Sequence, residues 1–278
     1  MRGMRGIVSR RAPAETEGHD GPVSHVKTNP EAPDRFFEAE AAGLRWLADA
    51  EPTGGVRVVR VDAVAPGRID LEAITETRPT VEAARAFGAA LAATHAAGAE
   101  AFGAPPSGWN GPTYIGRRPQ ATRPRASWGA FYAEQRVRPF VDIAAVAGTV
   151  TDRERGILDS LCDEIAAGRF DDDARPARLH GDLWAGNVLF SPSGVVLIDP
   201  AAHGGHPETD LAMLALFGCP FLDDVLSAYD AAAPLREGWE ARVPLHQLHP
   251  LAVHAAGHGR SYGVALARAA EATLRLPD

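Results

Sequence analysis

The chain is short of several things that common protein classes require. It has two cysteines in 278 residues, Cys162 and Cys219, both in apolar surroundings, so a disulfide framework has little support and a reducing cytoplasm is expected. No run reaches the roughly 18 apolar residues of a membrane span. Met1 to Arg11 carries four arginines but lacks the apolar core and small-residue cleavage site of a signal peptide. Basic residues are in deficit, 28 against 36 acidic, and the net charge of −8 argues against a broad nucleic-acid surface. The pattern Gly-x-x-x-x-Gly-Lys-Ser/Thr is missing, which excludes a P-loop enzyme, and there is no internal repeat.

What the chain does contain is apolar periodicity over a length sufficient for one large domain or two lobes. Residues 6–11 read as a glycine turn entering a strand, Gly18 to Gly21 as a turn, and Val23 to Lys27 as a strand. Asp34 is expected to cap a helix running to about Ala50, with Phe37, Glu40, Ala41, Leu44 and Leu47 on one stripe. Val56 to Val64 and Ile69 to Ile74 follow as strands, and Thr80 to Ala97 as a helix. Residues 98–125, rich in Gly, Pro and Arg, read as a long irregular surface segment that shapes or covers a cleft. Helices are expected over 127–145, 151–167 (opened by a Thr151-x-x-Glu154 capping box), 209–217, 221–232 and most of the last forty residues. The expected fold is α+β and bilobal, with a small β-rich lobe over 1–76 and a larger, mostly helical lobe over 77–278.

The chemistry concentrates in Leu179-His180-Gly181-Asp182-Leu183-Trp184-Ala185-Gly186-Asn187-Val188-Leu189 and in Val195 to Pro200, which includes Asp199. A lone His-Gly-Asp would be read as a loop turn. Asn187 five residues on, and Asp199 at the end of the next apolar run, change that reading. In phosphoryl transfer one carboxylate orients the attacking hydroxyl, while an amide oxygen and a second carboxylate are the hard ligands that Mg²⁺ prefers. A hairpin through Ser191-Pro192-Ser193-Gly194 would bring Asp199 back beside Asn187. His180 is read as a packing residue of its turn. Asp210 either caps the helix that follows it or bonds the backbone of the 180–182 turn. Glu40 is odd inside an apolar stripe, and Lys27 is its candidate cationic partner; a solvated Lys and Glu is the other reading. His203-x-x-His206, His246-x-x-His249 and His254-x-x-x-His258 have zinc-like spacings, but no His-Glu-x-x-His occurs, so they are read as ordinary histidines.

The run from Leu179 to Gly218 resembles the fructosamine kinase (ketosamine-3-kinase) family, within the wider aminoglycoside phosphotransferase and protein-kinase-like fold. His-Gly-Asp-Leu-Trp-x-Gly-Asn-Val-Leu, Ile198-Asp199-Pro200-Ala201, Gly205-His206 and Asp210 to Gly218 carry the likeness. Val26-Lys27-Thr28-Asn29, Glu38 to Leu44, Tyr114-Ile115-Gly116 with Pro119-Gln120, and Arg242 to Leu245 extend it over nearly the whole chain. The resemblance implies that Asp182 is the catalytic base, Asn187 and Asp199 the metal ligands, Lys27 the ATP lysine and Glu40 its helix partner. It implies a hinge at Leu71 to Ile74, with backbone near Glu72 and Ile74 meeting adenine. It also implies that Trp184 marks the substrate class, separating this pattern from most aminoglycoside kinases. The expected reaction is ATP- and Mg²⁺-dependent phosphorylation of the 3-hydroxyl of a ketosamine, free or protein-bound, leading to deglycation by a monomer or homodimer. An aminoglycoside or other hydroxyl kinase is the alternative, with Asp171-Asp172-Asp173 a hint of polycation binding. Two departures stand out: a thin glycine loop (Gly3 and Gly6 before Ser9), and Ala202-His203-Gly204 where the family usually has aromatics.

Overall fold

A computed structural model describes residues 24–277. The expected glycine loop, first strand and Gly18 turn lie outside these residues. The described chain opens with β1 (Ser24–Thr28), then α1 (Phe36–Ala48), β2 (Arg57–Val58), β3 (Val61–Ala65) and β4 (Arg68–Glu72). β1, β4 and β3 form an antiparallel sheet in that spatial order. On α1 the apolar stripe is real: Phe37, Ala41, Leu44 and Leu47 are all at most 2% exposed. Burying each of the three large side chains contributes about 1.5–3 kcal/mol. Asp34 does not cap this helix, however. Arg35 holds the N-cap position in a left-handed conformation with no side-chain cap, so α1 starts two residues later than Asp34.

The single strand expected over Val56–Val64 is divided, and the division matters. β2 leaves the first sheet and pairs in parallel with β9 (Gly194–Leu197), Arg57 opposite Val196 and Val58 opposite Leu197. β9 is the second arm of the expected hairpin; its first arm, β8 (Val188–Ser191), runs antiparallel to it, Val188 opposite Leu197. The Asp199 hairpin is thereby fastened to the segment that follows α1.

α2 (Val81–Ala96) is capped by the Thr80 hydroxyl, which accepts the Ala83 N–H at 3.2 Å. Residues 98–125 are not the irregular surface segment expected. They contain the hairpin β5 (Thr113–Ile115) and β6 (Arg118–Gln120), and Phe102, Ala104, Ile115 and Gln120 are buried. Then come α3 (Trp128–Phe131), a π turn (Tyr132–Val137), α4 (Arg138–Val146) and α5 (Asp152–Ala166), whose Thr151–Glu154 capping box is complete. β7 (Ala177–Leu179) pairs antiparallel with β10 (His203–Gly205). α6 (Glu208–Phe217), α7 (Leu222–Ala232), α8 (Trp239–His258) and α9 (Arg260–Leu274) complete the described chain.

One core joins α1, β4, α2, β8, β9, α6 and α7 through Leu47, Leu71, Leu91, Val196, Leu211 and Val225. A second joins the π turn, α5, α8 and α9 through Tyr132, Leu161, Leu251 and Leu266. α2 and α7 approach so closely that Gly88 has no room for a side chain: a Cβ there would lie 2.1 Å from the Val225 carbonyl oxygen. Both cysteines are free thiols. Among the described residues no helix is long and apolar enough to cross a membrane.

Candidate active site

β7 delivers the chain into the turn His180-Gly181-Asp182, and one buried carboxylate shapes that turn. Asp210, 1% exposed, accepts the His180 N–H at 2.8 Å and the Gly181 N–H at 3.0 Å, and faces the His95 Nε2 at 3.2 Å. Burial alone would raise its pKa, but the His95 contact, His180 and the Gly181 N–H outweigh that and lower it. Pro207, not Asp210, occupies the N-cap of α6, so the bracing reading of Asp210 is the one the geometry matches. Gly181 turns at φ +77°, and a Cβ there would sit 2.3 Å from the Ala201 carbonyl oxygen, so only glycine fits. His180 is buried, its Nε2 bonded to the Ile198 carbonyl at 2.9 Å, and burial lowers its pKa. It packs the turn and fastens it to the end of β9.

Asp182 projects from this turn. Asn187 stands beside it on a short 3₁₀ turn (Ala185–Asn187) and donates through Nδ2 to the Asp182 carbonyl at 2.8 Å and to its carboxylate at 3.3 Å. With Nδ2 so committed, the free ligand atom of Asn187 is its Oδ1. Asp199 follows β9 in a left-handed conformation, φ +54°, which costs a non-glycine residue about 1 kcal/mol or more and is found chiefly where function needs it. Burial, then the neighbouring charge of Asp199, push the Asp182 pKa up to about 7.

Lys27 on β1 bonds Glu40 of α1 at 2.7 Å and also bonds the Asp199 carboxylate. Glu40 therefore has a cationic partner inside its apolar stripe. Burial would lower the Lys27 pKa, but the two carboxylates outweigh it and raise it. Lys27 is the chain's single lysine. A cleft of about 880 Å³ contains all of these groups: Lys27, Glu40, Asp182, Asn187 and Asp199 line it. Trp184, Glu72 and Ile74 line it as well. The Glu72 N–H is already committed to the Arg60 carbonyl at 3.0 Å.

Comparison with known proteins turns this arrangement into a family. The sequence profile of the fructosamine kinase family matches residues 15–275. The chain belongs to the fructosamine kinase family. Its sequence is 32% identical over 245 residues to a Lactiplantibacillus plantarum protein named as a ketoamine kinase, covering 87% of this chain and 84% of the relative. Its fold is similar to the crystal structure of a Thermobifida fusca protein named as a fructosamine-3-kinase, with TM-score 0.85 and 47% identity over 92% of this chain and 87% of that one. The gentamicin complex of APH(2″)-IIa shares the fold alone, with TM-score 0.56 and 16% identity over 91% of this chain and 85% of that one. The protein is thus an ATP-dependent phosphotransferase of the ketoamine kinase type, built on a mixed α and β fold shared with aminoglycoside phosphotransferases.

Other expected features of the kinase fall outside the cleft. In the acidic stretch, Asp171 accepts from the Ser127 hydroxyl at 2.8 Å and the Gly129 N–H at 2.7 Å, while Asp172 faces His206 and Arg236, each at 3.3 Å. None of Asp171, Asp172 and Asp173 lines the cleft, so the acidic stretch offers no polycation site there. Of the residues after Asp199, Ala202 lines the cleft, but His203 is buried, with Nδ1 against the Ala201 carbonyl at 2.8 Å and Nε2 toward Arg136. His206, Glu208 and His246 converge with potential ligand atoms within 4.8 Å. Protein groups already saturate that cluster: Arg242 clamps both Glu208 oxygens at 2.6 and 3.0 Å, and the Thr209 hydroxyl lies 3.0 Å from His246 Nδ1. Burial notwithstanding, His246 and Arg242 hold the Glu208 carboxyl down to about 2.

The β5–β6 hairpin is what residue-by-residue reading missed. Tyr114 donates its hydroxyl to the Asp34 carbonyl at 2.7 Å and packs its ring, tilted, 5.4 Å from that of Phe36; Arg117 donates to the Glu31 carbonyl at 2.9 Å. Tyr114 and Arg117 line the cleft. The segment between residues 98 and 125 therefore does shape the cleft, as ordered hairpin rather than loose loop. The only signal in the sequence was Tyr114-Ile115-Gly116 with Pro119-Gln120, visible as a family likeness and invisible as a strand pattern.

Proposed function

We propose that this kinase phosphorylates the 3-hydroxyl of ketosamines such as fructosamine or ribulosamine adducts, and that the phosphorylated adduct then releases its amine, which is deglycation. The observation that carries the reading is the convergence of Asp182, Asn187 and Asp199 with the Lys27–Glu40 pair in one cleft. In this account residues 1–76 form the nucleotide lobe and 77–278 the catalytic lobe, with the hinge at Leu71 to Ile74. Asp182 accepts a hydrogen bond from the acceptor hydroxyl, aligns it for in-line attack and takes its proton. Lys27, held by Glu40, meets the α- and β-phosphates. Its present bond to Asp199 is exchanged for phosphate oxygens when nucleotide enters.

The donor set left available, one amide oxygen from Asn187 and one half-exposed carboxylate from Asp199, suits Mg²⁺. Bound there, the ion would neutralise phosphate charge and offset the Asp199 charge that adds to burial in raising the Asp182 pKa. Trp184 is the candidate for the sugar side of the pocket. With the acidic stretch turned away from the cleft, no observation favours an aminoglycoside acceptor. The test is a screen of ketosamines, aminoglycosides and simple polyols for acceptor-dependent ADP release. Ketosamine turnover supports the proposal; turnover of another acceptor with none on ketosamines overturns it.

A further inference from the structure

Below the cleft, Asp182 borders a second and much smaller cavity of about 10 Å³, lined also by Ile115, Met213, Val253, His249 and His254. That volume holds one water-sized group and no more. Its walls are mostly apolar, and His249 among them is peculiar. The residue is 4% exposed, and its Nε2 is buried with no hydrogen-bond partner. Buried imidazole nitrogens are normally satisfied, so an orphan on a residue that lines the same cavity as Asp182 calls for a ligand.

The ring is held in place on every other side. Nδ1 lies 2.9 Å from the Arg136 carbonyl, an interaction that requires the proton on Nδ1 and leaves Nε2 as a bare acceptor. Phe140 packs 5.4 Å from the ring centroid. The His249 N–H bonds the Tyr132 hydroxyl at 3.1 Å, and that hydroxyl also reaches the Leu245 and His246 carbonyls at 3.0 and 2.9 Å. Pro250, inside α8, has no N–H for the His246 carbonyl, and the hydroxyl of Tyr132 from the π turn meets that carbonyl instead. Burial and the nearby Arg136 guanidinium keep the ring neutral, with its pKa pushed down to about 3.

We propose that this cavity is a single-hydroxyl subsite: a second, non-reacting hydroxyl of the acceptor enters it and donates a hydrogen bond to His249 Nε2 while its neighbour meets Asp182. The subsite selects polyols carrying a hydroxyl near the one that is phosphorylated, and an acceptor-only nitrogen admits O–H while rejecting a carbonyl or carboxylate. His249 is a positioning residue and takes no part in proton transfer. The inference rests on the proposed alcohol-kinase reading and specifies which acceptors suit it.

The test is a double-mutant cycle between His249→Asn and a set of acceptors each lacking one non-reacting hydroxyl. Asparagine keeps a donor for the Arg136 carbonyl and removes the Nε2 acceptor, and thermal melting confirms folding. For one hydroxyl, its removal should cost the wild type about 10-fold in kcat/KM, mostly in KM, and cost the variant nothing further. Equal discrimination by both proteins at every hydroxyl overturns the subsite while leaving the kinase reading intact. Should the screen identify an alcohol other than a ketosamine, the same cycle is run on that alcohol. A second readout needs no turnover: the ¹⁵N signal of His249 Nε2, assigned through His249→Asn, should move upfield on titration with fructosamine or sorbitol. A signal unmoved by either, as expected if only a trapped water fills the cavity, also overturns it.

Discussion

Replacing Asp210 with asparagine should show how firmly the catalytic turn is held. Its two oxygens accept the His180 and Gly181 N–H groups, and the residue is 1% exposed. Asparagine retains one acceptor and turns an NH₂ toward the other N–H. One charge-assisted bond, about 1.5–3 kcal/mol, is lost and one buried donor is stranded, about 1–3 kcal/mol. The two effects overlap, so the expected loss is roughly 3–4 kcal/mol, a large share of a typical 5–15 kcal/mol stability. At about 2–4 °C per kcal/mol for a chain of this size, Tm should fall by roughly 10 °C. Asp182→Asn should behave oppositely in stability: its carboxyl, held at about 7 by burial and by Asp199, destabilises the fold as pH rises from about 4 to 7, so its removal should leave Tm unchanged or raised. Urea and thermal melts of both variants at pH 7.5 provide the comparison. An Asp210→Asn loss below 1 kcal/mol would show that something else holds the turn.

Three further outcomes follow from the packing and charges. Gly88→Ala should cost about 1–3 kcal/mol by forcing α2 away from the Val225 carbonyl, whereas Gly156→Ala, with nothing within 4 Å, should be neutral or stabilising; equal melting temperatures would refute the close approach. Glu208 is depressed to about 2 from an ordinary value near 4.3, so its stabilisation is complete above about pH 4.3 and lost as pH falls through about 2. Glu208→Gln should thus cost about 2 kcal/mol at pH 7 and progressively less toward pH 2, and a pH-independent loss in urea melts would contradict the assignment. Because Lys27 is the only lysine, acylation of side-chain amines reports on it alone. Mg-ATP should slow that acylation several-fold by occupying the amine, and unaltered labelling kinetics followed by mass spectrometry would remove Lys27 from the nucleotide site.

How much of this was legible depended on how local each cause was. Asn187 and Asp199 could be placed beside Asp182 because a spacing of five and a Ser-Pro-Ser-Gly hairpin bring them there without help from distant chain. Lys27 and Glu40 were readable because a carboxylate in an apolar helical stripe needs a cation. The parallel pairing of β2 with β9 was not: two residues pair with partners 139 positions away, too short a ladder to leave a pattern. The β5–β6 hairpin was hidden by composition, since Arg-Pro-Gln is a poor strand sequence that forms here by pairing with β5, while Tyr114 and Arg117 tie the hairpin to residues 31–36. His249 belonged to a zinc-like spacing that dissolved in three dimensions. Its significance lies in a missing partner, which no sequence displays.

The measurement that bears most directly on the account is ADP release by purified protein with Mg-ATP and a ribulosamine, wild type beside Asp182→Asn. Acceptor-dependent turnover is expected in the wild type, with a phosphate on the 3-hydroxyl of the product by NMR, and a kcat lower by roughly 10³-fold or more in the variant, with ATP binding little changed. Turnover no faster than the acceptor-free background, or a variant that keeps the wild-type rate, would contradict it.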